Sequence, residues 1–306
     1  MRLWSRNADV ISSISEARIN SRYLSSTSIP SGVIATGDLG EALHGATTVV
    51  FAAPSHAARE LLTAMSPLLD EAAIIVSVSK GIEIESGKRI SEIAREVLGS
   101  TYSFVCLSGP SFAKEVVAGN PTAIVAASKD AAAARAVQND FSFENLRIYT
   151  NTDVIGTEIG GSVKNVMAIA AGMTTGLGFG ANSVAALITR GLAEITRLAR
   201  REGAQVETLM GLAGLGDLVL TCTGNLSRNR FVGEELGKGK TLAEITAALN
   251  EVAEGINTAR AVKKLADRAG LEMPITNEVN AVLYDGKPAR DAVAELMSRP
   301  LREEIS

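Results

Sequence analysis

A lysine among very small residues stands near the middle of the chain, in Gly160-Gly161-Ser162-Val163-Lys164-Asn165. Ile159, Val163, Val166, Met167 and Ala170 recur at helical spacing and mark one apolar arc. Lys164 falls about 100° off that arc, on the side of Gly160, Ala168 and Ala171. A solvated face would carry other charges. Glycine and alanine instead let a second backbone or a ligand come close. A lysine held there loses water, and its pKa falls toward the range useful for proton transfer. The alternative is a surface lysine beside small residues.

Further stretches could supply that lysine with partners. Gly211 to Thr221 places Gly211, Gly214 and Gly216 before Asp217, with Thr221 one helical turn later. Asp217 there is either a helix cap or a carboxylate that orients the lysine or a substrate hydroxyl. Asn225 to Arg230 joins Ser227, Arg228, Asn229 and Arg230 at a helix start. That set suits an anion, because guanidinium pairs with phosphate and free N–H groups at a helix start add to it; a solvated basic turn is the other reading. Gly109-Pro110-Ser111-Phe112-Ala113 ends one apolar run and opens a helix. Ser111 there either caps that helix or helps aim backbone N–H groups at a ligand. Lys80 ends another run.

The elements that must position these residues fall into two sets. Thr48–Ala53, Ala73–Val78, Ser103–Leu107, Ala123–Ala127 and Leu146–Tyr149 are apolar without alternation, as strands are when helices cover both faces of a parallel sheet. Helices are expected between them, at about 57–69 and 88–98, with a last helix and loop over 135–145. Before them come a short strand at Arg2–Ser5, a helix from Ala8 to about Arg22, a loop over Leu24–Thr36 and a short helix at Leu39–Leu43. The first unit, 1–154, is therefore a doubly wound α/β domain whose ligands gather at the strand carboxyl ends, Pro54-Ser55, Lys80-Gly81 and Gly109-Pro110-Ser111. From about Ile155 only helical periodicity continues, at about 157–173, 183–202, 205–212, 227–237, 241–249, 255–269, 275–284 and 288–297. The second unit, 155–306, is expected to be all-α.

Composition narrows the function classes. A 46% hydrophobic and 21% charged chain of 306 residues is ordinary for a globular protein of two domains. A net charge of −4 gives no sign of nucleic-acid or anionic-membrane binding. Two distant cysteines, Cys106 and Cys222, and two histidines, His44 and His56, leave little material for a metal site, a disulfide framework or a histidine triad. The uncharged span Asn165–Thr189 is broken by Gly172, Gly176, Gly178 and Gly180, so it reads as helix, loop and helix rather than a membrane span.

One expected feature is missing. A dinucleotide-binding sheet opens with a strand and G-x-G-x-x-G, which seats the pyrophosphate on a helix N-terminus, and no such pattern occurs. The chain begins where a second strand would lie, with Trp4-Ser5-Arg6-Asn7 at its end. A basic residue there leans toward NADP(H).

Taken together, Ser79-Lys80-Gly81, Ser108 to Ala113, Gly160 to Asn165, Gly214-Leu215-Gly216-Asp217-Leu218, Ser227-Arg228-Asn229 and Val252-Ala253-Glu254-Gly255 resemble bacterial-type NAD(P)-dependent glycerol-3-phosphate dehydrogenase, from Arg2 to about Arg290. The resemblance implies a Rossmann-like domain, here without its first strand and helix, followed by a helical domain. It implies reduction of dihydroxyacetone phosphate to sn-glycerol 3-phosphate for phospholipid synthesis, in the cytoplasm. Lys164 would be the proton donor. Lys80, Gly109, Ser111, Asn165, Asp217, Thr221, Ser227, Arg228 and Asn229 would join it in holding substrate. Arg6, Tyr23, Lys80, Ala113, Arg228, Val252 and Glu254 would face the cofactor, NADP or NAD with NADPH favoured, and no metal is expected. The expected partner is a small phosphorylated triose; a homodimer is compatible with the chain, and neither nucleic acid nor membrane insertion is expected. Because losing a first strand would strip two neighbours of backbone partners, the native chain is expected to begin upstream of Met1. The competing readings are a dehydrogenase of 3-hydroxy acids or 6-phosphogluconate, and a non-catalytic glycerol-phosphate-binding remnant.

Overall fold

The structure, a computed structural model, describes residues 1–249, 253–301 and 303–304. The chain starts with β1 (Arg2–Trp4), α1 (Ala8–Ala17), β2 (Ile19–Asn20), β3 (Leu24–Ser28), β4 (Ile34–Thr36) and α2 (Leu39–Leu43). The helix expected to reach Arg22 stops at Ala17. Arg18 takes a left-handed conformation (φ 55°) whose N–H closes on Ile14 O and Ser13 O. Its guanidinium bonds Ile29 O at 3.2 Å and Val33 O at 2.9 Å. The loop expected over Leu24–Thr36 holds two strands. β3 pairs antiparallel with β2, and β4 runs parallel to β1, with Arg2 opposite Ile34 and Trp4 opposite Thr36.

The apolar runs form β5 (Thr48–Phe51), β6 (Ile74–Ser77), β7 (Ser103–Ser108), β8 (Thr122–Ala127) and β9 (Leu146–Asn151), hydrogen-bonded in that order. Between them lie α3 (Ala58–Met65), α4 (Ile90–Leu98), α5 (Ala113–Val117) and α6 (Ala131–Phe141). α6 starts earlier than expected because Asp130 caps Ala132 N and Ala133 N. β5, β6 and β7 are parallel, as are β8 and β9, but β7 and β8 are antiparallel. The sheet is thus doubly wound with one reversal, at the short connection that carries α5. Among the described residues, no ladder joins β1 and β4 to this sheet.

The second half is helical, as its periodicity implies: α7 (Val154–Gly176), α8 (Ala181–Arg201), α9 (Val206–Met210), α10 (Asp217–Thr223), α11 (Arg228–Gly237), α12 (Leu242–Ala248), α13 (Glu254–Ala269), α14 (Pro274–Tyr284) and α15 (Ala289–Ser298). α10, which the periodicity did not separate, follows a wide π-helical turn at Leu212–Gly216. α7 is buried from Gly156 to Thr174 on every side, so the position of Lys164 is interior. Asp153 caps it through Gly156 N at 2.9 Å and ties it to Gln205 N at 2.8 Å. Ile159, Val163, Val166 and Met167 sit in the larger apolar core, with Leu198, Leu218, Val232 and Val262. No described helix is long and apolar enough to cross a membrane.

α7 and α11 approach so closely that glycine is required on both. A Cβ on Gly172 would stand 2.0 Å from Arg230 O, and one on Gly233 would stand 1.9 Å from Ile169 O. These are backbone collisions that no rotamer relieves. Gly233→Ala is therefore expected to destabilise the fold by about 1–3 kcal/mol or more, as overpacked cores do. It should lower the thermal midpoint; an unchanged midpoint would contradict this packing.

Candidate active site

The site lies where the carboxyl ends of β5, β6 and β7 meet α7, α10 and α13. One carboxylate organises it. Asp217 is the first residue of α10, and Gly216, not Asp217, is the cap. The π-helical turn before it, closed by Gly216 N on Gly211 O at 3.1 Å, turns the carboxylate inward; such turns often accompany functional sites. Asp217 Oδ1 accepts from Lys164 Nζ and Oδ2 from Lys80 Nζ, both at 2.7 Å. Lys164 Nζ also donates to Thr221 Oγ1 at 2.7 Å, and Thr221 donates in turn to Asp217 O at 2.7 Å. Lys80 Nζ donates to Gly109 O at 3.0 Å, an acceptor shared with Ser111 Oγ at 3.0 Å.

The small residues beside Lys164 have the use their size suggests. A Cβ on Gly160 would stand 2.6 Å from Ala213 O in the wide turn, and one on Gly161 would stand 2.7 Å from Ser108 Oγ. α7 can thus touch the Asp217 turn and the end of β7 at once. Lys164 is 5% exposed. Burial lowers its pKa, the Lys80 charge lowers it further, and Asp217 opposes both, leaving it at about 8. The ammonium can lose its proton near physiological pH. Burial pushes the adjacent Cys222 thiol up to about 12, so it stays neutral.

A second group of contacts borders the first. Glu254, the first residue of α13, accepts from Ser55 N at 3.3 Å and Ser55 Oγ at 3.1 Å, joining α13 to the end of β5. Burial raises its pKa, and the Ser55 bonds oppose that rise. Asn229 Oδ1 accepts from Gly255 N at 2.9 Å, and a Cβ on Gly255 would touch Asn165 O at 2.7 Å. Asn165, Asn229, Glu254 and Ser55 are therefore contiguous.

Of the residues named from sequence, the structure links Lys80, Gly109, Ser111, Lys164, Asp217 and Thr221 in one hydrogen-bonded chain. Asn165, Asn229 and Glu254 lie together beside it. Ser227 is the N-cap of α11, its Oγ accepting from Arg230 N at 3.2 Å, and is buried. Arg228 is exposed at the start of α11, and its charge is felt at Glu254. Ala113 is exposed at the start of α5. Arg6 is exposed between β1 and α1, and Tyr23 sits half-exposed in the β2–β3 turn with the Arg22 guanidinium 5.5 Å from its ring centre. Neither is tied to the lysine pair. Val252 lies outside the described residues. Two residues escaped sequence reasoning. Ser55 closes on Glu254, although the strand end it occupies was visible. Ser108 closes β7 with a buried Oγ that has no partner among the described residues.

Comparisons with known proteins show the family. The family described as NAD-dependent glycerol-3-phosphate dehydrogenase matches with its N-terminal part over residues 1–134 and its C-terminal part over residues 153–294. The chain belongs to that family. It is 52% identical over 308 aligned residues to a glycerol-3-phosphate dehydrogenase (NAD(P)+) of Koribacter versatilis, covering 100% of this chain and 91% of the relative. It is 49% identical over 304 residues to the protein of that name from Geobacter sulfurreducens. Its fold superposes on a crystal structure of glycerol-3-phosphate dehydrogenase from Coxiella burnetii with a TM-score of 0.95 and 40% identity, covering 97% of this chain and 91% of that one.

The residues present fit a nicotinamide dinucleotide at its two ends. At the strand ends, Ser108 Oγ, without a partner among the described residues, and Lys80 both border the Gly161 position, and Ser55 borders Gly81, the residue after Lys80. At the end of β1, Arg6 presents an exposed cation suited to an adenosine phosphate. The sequence holds no glycine-rich turn for the diphosphate between them.

Proposed function

We propose that this protein interconverts dihydroxyacetone phosphate and sn-glycerol 3-phosphate with NAD(P)H, with Lys164 moving the proton. The observation that carries the reading is the buried Lys164–Asp217–Lys80 bridge. It sets a lysine of lowered pKa at the strand ends of a doubly wound sheet. When bound, the reduced nicotinamide supplies the hydride that C2 of the substrate receives. As C2 is reduced its oxygen gains negative charge, and Lys164 delivers a proton to it; in oxidation the neutral amine takes the hydroxyl proton back. Thr221 and Asp217 hold the amine in place. Lys80, held by Asp217 and Gly109 O, adds a second positive charge, so two ammonium groups face one carboxylate. A net positive site suits an anionic substrate.

Arg228, with Asn229 and Ser227 shaping its helix start, receives the phosphate end. Gly109, Ser111 and Asn165 complete the substrate contacts, while Glu254 and Ala113 border the cofactor and Arg6 and Tyr23 serve its adenosine end. We read residues 1–154 and 155–306 as the cofactor and substrate units, and place the protein in the cytoplasm. NADPH oxidation by the chain is expected to depend on dihydroxyacetone phosphate. Turnover with 3-hydroxy acids or 6-phosphogluconate instead would overturn the reading. Arg228→Ala is expected to raise KM for dihydroxyacetone phosphate by roughly 10-fold or more, as loss of a charge-assisted phosphate contact does, with a smaller effect on kcat. A steady-state titration of the substrate separates the two constants.

A further inference from the structure

The two lysines come from opposite halves of the chain. Lys164 is fixed by α7, but Lys80 lies in the connection between β6 and α4 and has no helix or strand of its own. The segment after it is what holds it. Ile82 bridges Arg89 antiparallel, Glu83 N donates to Lys88 O at 2.9 Å, and Gly87 N donates to Glu83 O at 2.8 Å. The resulting hairpin is gripped from several sides. Ile82, 1% exposed, is part of the helical core with Ile159 and Val163. Arg268 of α13 donates to Ser86 O at 3.1 Å. Arg59 of α3 clamps both Glu83 oxygens at 2.9 Å.

The hairpin's exit is fastened to the helix that carries Lys164. Glu158, six residues before Lys164 on α7, accepts from Ser91 N at 2.7 Å, Ser91 Oγ at 2.5 Å and Arg89 Nη1 at 2.9 Å. Glu158 is 6% exposed, and both its oxygens are occupied. A buried carboxylate is costly unless it is fully bonded, and among the described residues the hydrogen bonds to this one come from the segment that follows Lys80. A single short strap thus runs from Lys80 through Ile82 to Arg89 and Ser91, and returns to the Lys164 helix through Glu158.

We propose that this strap sets the position of Lys80 against Asp217 and Lys164, and that Glu158, Arg89 and Ser91 are positioning residues for the reaction. None of them touches the reacting atoms. The kinetic part of the inference rests on the reading of Lys164 as the proton donor; the rest does not.

Glu158→Gln tests it, because an amide has one accepting oxygen where the carboxylate has two, so either the Ser91 N bond or the Arg89 bond is lost whichever way it is turned. The charged and titratable groups that face Lys164 are Asp217 and Cys222 from α10 and Lys80 from the strap. The substitution leaves the first two in place, so a change in the Lys164 midpoint reports Lys80. The amine is titrated by NMR in ligand-free, lysine-labelled protein. The midpoint is expected to rise above about 8 as Lys80 withdraws, and kcat to fall roughly 10-fold, as small misplacements in an active site do. Ser91→Ala removes one bond and keeps the N–H, so it should shift both readouts the same way by less, and it carries the test if Glu158→Gln does not fold. Folded variants with a lowered melting temperature but an unmoved midpoint and unchanged kcat would reduce Glu158 to a stabiliser and overturn the proposal. Full turnover by Lys164→Met would instead defeat the proton-donor reading, and the ligand-free titration would still decide the strap.

Discussion

Lys164→Met is expected to lower turnover in both directions by about 10²–10⁴-fold, the range that a positioned general acid or base contributes. Methionine is unbranched, only one heavy atom shorter, and suits the buried surroundings of α7, and Asp217 keeps Lys80 as its partner, so the fold is retained and the loss reports chemistry. KM for dihydroxyacetone phosphate should move little, because the phosphate is assigned to Arg228. The pH profile is the sharper test. With Lys164 at about 8, the protonated form needed for reduction is lost above that pH, and the neutral form needed for oxidation appears. Reduction should fall and oxidation rise through the same midpoint in the unsubstituted protein, and both steps should vanish in Lys164→Met. Stability carries the matching sign. An unfolded lysine titrates near 10.4, so between about 8 and that value the unfolded chain binds more protons. The folded state therefore gains stability as pH rises through this window. Denaturant unfolding at either side of the window should show the gain, and Lys164→Met should lack it. A variant that kept the pH steps would assign them to another group.

How much of this was legible in the sequence depends on how far apart the partners lie. The strands of the main sheet were readable because helices cover both faces, leaving uninterrupted apolar runs such as Ile74–Ser77. Such runs carry no direction, so the reversal between β7 and β8 could not be read from them. β3 and β4 were missed because Ser, Thr, Pro and Gly dominate Leu24–Thr36, and their pairing with β2 and β1 is a tertiary matter. The end of α1 at Ala17 hangs on one left-handed arginine whose partners lie 11 and 15 residues away. In the site, the small face around Lys164 was visible, and the close approach of Ala213 and Ser108 explains it. That Asp217 would be shared by two lysines was not visible, since they lie 53 and 137 residues from it. Ser55 and Glu254, 199 residues apart, are hidden for the same reason. Local pattern gives the elements and the residue types. Only the packing of α7 against the sheet ends shows which charges meet.

Asp217→Ala is expected to damage stability and chemistry together, and to damage the two reaction directions unequally. The carboxylate is 1% exposed and is the sole anion bonded to either lysine among the described residues. Removing one partner of a buried ion pair costs about 3–5 kcal/mol, because the other charge is left unpaired in a place water cannot reach. That is a large share of the ~5–15 kcal/mol that holds a domain folded. Lys164 can limit the cost by giving up its proton. Burial and Lys80 already lower its pKa, and Asp217 is the main group that raises it. Without Asp217 the midpoint must fall below about 8, and the amine becomes neutral in a range where it was charged. Reduction, which needs the charged form, should lose most at neutral pH. Oxidation, which needs the neutral form, should keep more of its rate and reach its plateau at lower pH. Asp217→Asn separates charge from shape. Its amide oxygen can still accept from one lysine, but its nitrogen then faces the other as a second donor, so the loss of stability should be smaller and the fall in the Lys164 midpoint should remain. Paired pH–rate profiles in the two directions, with thermal unfolding of both variants, measure all of this. An unmoved profile would mean that Asp217 holds the lysines without tuning them.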